Sequence, residues 1–161
     1  MSGAGDRFWR FSLAFYARPK VAEALLALQD EAGANVNLTL FGIWAGAAGG
    51  VRLSAGDVAA AQAAIAPLDA EVVAPLRALR RGLRADPDPD VQALRRRIGA
   101  LELAAERRVQ DRLAASLSRL GPSTDRLAAA AANLRLVLGT AADRAEAALL
   151  NEALAAFLAR D

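Results

Sequence analysis

This sequence predicts an all-α fold, a compact bundle of about six to seven helices that includes a long antiparallel helical hairpin. Three observations lead there. The apolar share is 55% of 161 residues, and much of it is alanine, the strongest helix former, where a sheet would draw on valine, isoleucine and aromatics. Apolar side chains recur at three- and four-residue spacing along most of the chain, the repeat of one helix face. Capping residues before these stretches, and glycine or proline after them, divide the chain into segments of helical length.

Taken in order, Asp6 is expected to cap a first helix over residues 7–17, with Phe8, Phe11 and Phe15 on one face and Trp9 and Tyr16 flanking it. Pro19 suits the first turn of a second helix striped by Val21, Leu25 and Leu28 and ending near Gly33. Asn35 caps a third helix over about 36–48, closed by Gly49 and Gly50. Ser54 and Asp57 form a variant capping box that opens a long fourth segment. Pro67 and Pro75 each remove a helix hydrogen bond, so bent or consecutive helices are expected over 57–85.

The run Asp86-Pro87-Asp88-Pro89-Asp90 is the clearest turn, with Asp88 as cap and Pro89 in the first helical position. A fifth helix should extend from Pro89 to about Leu120 on one stripe that includes Val91, Leu94, Ile98, Leu101, Ala105, Val109 and Leu113. Gly121-Pro122 is expected to stop it and Ser123 to restart a helix through about Leu138. Gly139, Thr140 and Asp143 read as a further stop and capping box before a last helix carrying Leu150, Leu154 and Phe157. Seven of the eight aromatics precede residue 45, which predicts an aromatic subcore over about 6–50. An Ala/Leu/Arg-rich hairpin and closing helices over about 54–161 lean on it, with no linker between the halves. One domain over 1–161 is the expectation.

Composition also narrows the chemistry. The chain has no cysteine and no histidine, which removes thiolate nucleophiles, disulfides, Cys/His zinc sites and the commonest general base. Glu102 and Glu106 stand one helical turn apart, but arginines lie beside them and no second ligand motif accompanies them, so no metal, cofactor or catalytic residue is expected. Nineteen arginines and the single Lys20 leave a net charge of only +2, too small to require a polyanionic partner. The N-terminus lacks a basic stretch followed by an apolar core. The apolar run 38–51 is shorter than the ~20 residues of a membrane span. Cytoplasmic localisation without a membrane span is the expectation.

Two regions qualify as candidate sites. Gln29, Asp30, Asn35, Asn37 and Trp44 gather carboxylate, carboxamide and indole groups around one helix–helix turn, suited to a small polar ligand or peptide. Capping by Asn35 and core filling by Trp44 is the preferred plain reading. Arg77, Arg80, Arg81 and Arg84 share a helical face, and a hairpin would return Arg95, Arg96 and Arg97 beside them. That cluster would suit phosphate or nucleic acid, although no aromatics accompany it and a solvated, partly ion-paired face is preferred. Gly42, Gly46 and Gly50 read as a close helix–helix approach with a final cap.

Phe8-Trp9-Arg10-Phe11-Ser12, Tyr16-Ala17-Arg18-Pro19, Leu28-Gln29-Asp30 and Asn35-Val36-Asn37-Leu38 through Trp44 resemble a small bacterial, mainly proteobacterial, family of helical proteins described as a domain of unknown function. The resemblance covers the first third of the chain. Lys20 departs from it by standing where glycine is expected after the proline, and Thr39 interrupts a more uniformly leucine-rich run. The resemblance implies no activity, cofactor or catalytic residue. The reading preferred from sequence is therefore a non-enzymatic helical interaction or adaptor protein, binding a protein partner or itself. Nucleic-acid or phosphate binding by the arginines stands second, and a small-molecule enzyme or sensor built on Asp30, Asn35, Asn37 and Trp44 stands third.

Overall fold

The structure, a computed structural model, describes residues 3–117 and 125–160. These residues form helices and no strand. α1 spans Ala4–Tyr16, α2 Val21–Ala32 and α3 Val36–Gly49. α4 is continuous over Ala55–Gly82, and α5 spans Pro89–Ser116. α6 spans Arg126–Leu138 and, after a 3₁₀ turn at Gly139–Asp143, α7 spans Ala145–Leu158. α5 ends at Ser116 with Leu117 already extended, short of the expected Leu120, and Asp125 caps α6 by accepting from the Ala128 amide; the expected stop at Gly121-Pro122 and restart at Ser123 themselves lie outside the described residues.

Most of the boundary signals work as expected. Asn35 Oδ1 accepts from the Leu38 amide at 3.0 Å. Ser54 and Asp57 close a reciprocal capping box, and Asp88 accepts from the Asp90 amide with Pro89 in the first turn. Three expectations are corrected. α1 begins before Asp6, at Ala4, so Asp6 lies in the first turn and forms an ion pair with Arg107. Thr140 and Asp143 do not cap α7, because Arg144 occupies its cap position without a side-chain bond; Asp143 instead pairs with Arg135 at 3.4 Å. Third, α2 starts after Lys20, whose φ of 63° is left-handed. This is the conformation that favours glycine, which accounts for the residue expected there.

The prolines of α4 do not break it. Between Pro67 and Pro75 the helix widens into a π turn at Asp69–Val73, and the Ala74 amide bonds the Asp69 carbonyl. A single π turn absorbs the lost register where a proline disturbs the ladder.

α3 is the buried axis of the molecule. It packs most extensively on α6, and glycine permits this closeness. A Cβ on Gly46 would lie 2.7 Å from the Ala129 carbonyl carbon and nearer still to Ala130. Asn133, buried on α6, secures the same contact by donating to the carbonyls of Gly42 (3.0 Å) and Val51 (2.7 Å) and accepting from the Leu53 amide (2.8 Å). The aromatic subcore forms around α1 and α3, with Phe8 stacked on Trp44 at 4.9 Å. Phe157 of α7 closes on Phe11 and Phe15 at 5.6 and 5.8 Å, so the last helix is part of the aromatic cluster.

α4 and α5 pair as the expected antiparallel hairpin, and α1 lies along α5. The α5 stripe differs from its expected course. Leu94 and Leu101 are exposed, whereas Glu102 is buried beside Ala105, Val109 and Leu113. Leu94 and Leu101 are a heptad apart, and the face turned inward is the one that meets α1 and α4, where charged side chains meet partners.

Candidate functional site

Where α1, α2, α3, the C-terminal part of α4 and α5 converge, they form a half-open cavity of about 360 Å³. Helical spacing builds its walls. Trp9, Ser12, Leu13 and Tyr16 come from one face of α1, and Phe8 and Phe15 face the core. Glu102, Leu103, Glu106 and Gln110 come from one face of α5, while Arg77, Arg80 and Arg81 share a face of α4. Leu26 and Gln29 of α2, with Val36, Asn37 and Leu40 of α3, complete the lining. Leu13, Leu26 and Leu103 are partly exposed at its rim. Trp9 is held from outside by Arg107, whose guanidinium lies 5.3 Å from the ring centre, and Arg107 is in turn engaged by Asp6 and Asp111.

One wall is an ion-pair network. Arg77 donates to Glu102 at 3.1 Å and to Glu106 at 2.9 Å. Arg80 donates to both Glu102 oxygens, and its backbone carbonyl accepts from Arg95 Nε at 3.2 Å. Gly99 leaves room for this arrangement, since a Cβ there would stand 3.2 Å from Arg80 Cδ. Burial raises the Glu102 pKa, but the hydrogen bond and charge of Arg80, with the Arg77 charge, outweigh it and hold the carboxyl below its ordinary value. Glu106 is the reverse case. Burial pushes it above its ordinary value against the opposing pull of Arg77. Burial, then the Glu106 charge, also raises Tyr16.

The floor is neutral and polar. Gln110 Nε2 donates to Asn37 Oδ1 at 2.9 Å. Two further atoms there, Gln110 Oε1 and Ser12 Oγ, are buried and have no hydrogen-bond partner among the described residues. Ser12 is 4% exposed and Gln110 2%, so neither side chain finds its partner in bulk water. A third such atom, Asn151 Oδ1, belongs to α7 and is not part of the lining.

The two sequence candidates meet here in part. Gln29 and Asn37 line the same cavity as Arg77, Arg80 and Arg81. Asp30 stands outside the lining and pairs with Arg81 at 3.0 Å. Asn35 caps α3 and donates to Asp69 at 3.1 Å, while Trp44 is enclosed in the aromatic core. Arg84 and Arg96 are exposed near the hairpin end and do not line the cavity. Sequence reasoning missed Ser12, Tyr16, Leu103 and Gln110 as site residues. Ser12 and Tyr16 fall within the Phe8–Ser12 and Tyr16–Pro19 motifs that carry the family resemblance, whereas nothing in the sequence marks Leu103 or Gln110.

Residues 7–113 match the family described as a protein of unknown function, DUF2390. The match runs from α1 through most of α5 and so takes in every residue lining the cavity, well beyond the motifs of the first third. No curated protein and no solved structure matches the chain.

Proposed function

The chain belongs to the DUF2390 family, and we propose that it is a binding protein for a small organic ligand held in the cavity between α1, α4 and α5. The observation that carries this reading is the pair of buried, unpartnered polar atoms, Ser12 Oγ and Gln110 Oε1, on side chains that line an apolar-rimmed cavity. A buried polar atom without a partner costs about 1–3 kcal/mol. A ligand that supplies the missing bonds recovers that cost on binding, and the rim leucines with Trp9 bury its apolar part. Because the arginines and glutamates of the wall already satisfy one another, the site is read as a receptor without assigned catalytic chemistry.

Titration of ¹⁵N-labelled protein with a library of neutral and charged aromatic fragments tests this. Shifts confined to Ser12, Asn37, Gln110 and their neighbours are expected. A library that shifts none of these signals overturns the proposal.

A second reading, helix-mediated association with a protein partner or another copy, rests on α4. Ala59, Ala63, Ala66, Pro67 and Ala70 are exposed on it. By length and composition α4 is also apolar enough to cross a membrane, with only 17% of its most apolar window buried. Small side chains of this kind allow close helix pairing. Light scattering behind size exclusion is expected to show a mass above one chain that Ala63→Arg returns to one chain; a single-chain mass at all concentrations, with no partner retained, removes this reading. Anion or nucleic-acid binding has less support, because Arg77, Arg80 and Arg81 are engaged by Glu102, Glu106 and Asp30. Loss of nucleic-acid affinity with salt, and on substitution of Arg84 and Arg96, would be its signature.

A further inference from the structure

The cavity contains its own statement of what it accepts, in the groups left over once its internal bonds are drawn. Arg77 and Arg80 are matched by Glu102 and Glu106. Arg81 is matched outside the lining by Asp30. Two cations and two carboxylates therefore cancel inside the wall. An anionic head would have to compete with Glu102 and Glu106 for their arginines, and a cationic head would have to compete with Arg77 and Arg80 for the glutamates. The first exchange strips the buried Glu102 of its partners, and the second leaves the half-buried Arg77 and Arg80 unmatched; both are costly.

The polar floor has the opposite character. Among the described residues, Gln110 Oε1 is an acceptor without a donor, and Ser12 carries a hydroxyl without a partner. A carboxamide oxygen can only accept, so Gln110 requires an N–H or O–H from the ligand, whereas the serine hydroxyl either donates or accepts. One neutral head that both donates and accepts satisfies both. The rim, made of Leu13, Leu26 and Leu103 with Trp9 and Tyr16, then faces an apolar or aromatic body.

Resting on the cavity reading above, we propose that the ligand class is an uncharged amphipath: a carboxamide or lactam-type head on the Ser12–Gln110 floor and an apolar or aromatic body against the leucine rim. Charged analogues of the same body are discriminated against because the wall offers no unpaired charge. Preferences of this kind are large where a site is built to hydrogen-bond a group, since the wrong analogue leaves buried polar atoms unpaired.

Phenylacetamide, phenylacetate and phenethylamine share one aromatic body and differ in the charge of the head, and calorimetric titration of the full chain with each provides the test. Phenylacetamide is expected to bind at least about tenfold more tightly than either charged analogue. Ser12→Ala is expected to shrink that preference, and Gln110→Leu, where it folds, to shrink it further. Equal or tighter binding of phenylacetate or phenethylamine, abolished by Leu103→Arg at the rim, overturns the neutral-head inference and leaves the cavity reading standing. Binding of none of the three overturns the inference, and the fragment titration above then decides the cavity reading separately. An amide preference that survives Ser12→Ala unchanged, in a folded protein with Gln110→Leu also unchanged, likewise overturns it.

Discussion

At the scale of single residues, Asn133 and Glu106 show how a buried polar group is settled in two ways. Asn133 uses its whole carboxamide on Gly42, Val51 and Leu53. Asn133→Ala therefore leaves the Val51 carbonyl and the Leu53 amide without this partner and the Gly42 carbonyl with its helix bond alone, and a loss of about 2 kcal/mol or more is expected in urea denaturation. Glu106 is held by Arg77 yet sits above its ordinary pKa because burial dominates. Its folded-state pKa thus exceeds its unfolded one. The stability it contributes is complete below the unfolded pKa and is lost as pH rises through the folded pKa. Glu106→Gln removes that dependence, so its stability relative to the parent chain should improve as pH rises from below the ordinary glutamate pKa through the raised folded-state one, as read from urea midpoints. No such improvement would mean the carboxylate is better compensated than its burial implies. Lys20 is a smaller case. Its left-handed φ strains any residue with a Cβ, so Lys20→Gly is expected to raise stability by up to about 1 kcal/mol.

At the scale of elements, the contact of α3 with α6 is set by the absence of side chains. Gly46 faces the backbone of Ala129 and Ala130 with no room for a methyl group, and both partners are main chain that cannot rotate away. Gly46→Ala is therefore expected to cost about 2–3 kcal/mol, measurable by denaturation, with Gly33→Asn, at an open left-handed position, as a mild control. The glycine spacing was readable as a close approach. Its partner was not, because nothing local to Gly42 or Gly46 points to Asn133 and Ala130 far along the chain. Ser54 with Asp57, Asn35 and Asp88-Pro89 were legible for the reason that Gly46's partner was not: a cap is a bargain struck within four residues. A disturbance of α4 was legible in its prolines, while its continuity depended on a π turn that propensity does not specify. The inward position of Glu102 was hidden because an apolar stripe reports one face, and Leu94 and Leu101 fit that stripe while staying exposed. The two arginines that make its burial tolerable lie on another helix.

At the scale of the whole molecule, five helices contribute to the cavity, and its two unpartnered atoms come from α1 and α5. That is why the site was only half legible. Gln29, Asn37, Arg77, Arg80 and Arg81 were readable as candidates, but as two separate regions, since only the packing of α4 and α5 against α1 and α3 joins them. The burial of Ser12 and Gln110 carried no signal, even with Ser12 inside a family motif, because a polar residue on a helix is ordinarily a surface residue. The same packing gives the account its most direct test. If Ser12 is retained for binding, its buried hydroxyl is a burden on the empty fold. Denaturation of Ser12→Ala, with and without phenylacetamide, should show a variant about 1 kcal/mol more stable than the parent chain alone and less stabilised by the amide. A variant less stable than the parent, with an unchanged gain from the amide, would show the hydroxyl serving the fold, and the central claim would be contradicted.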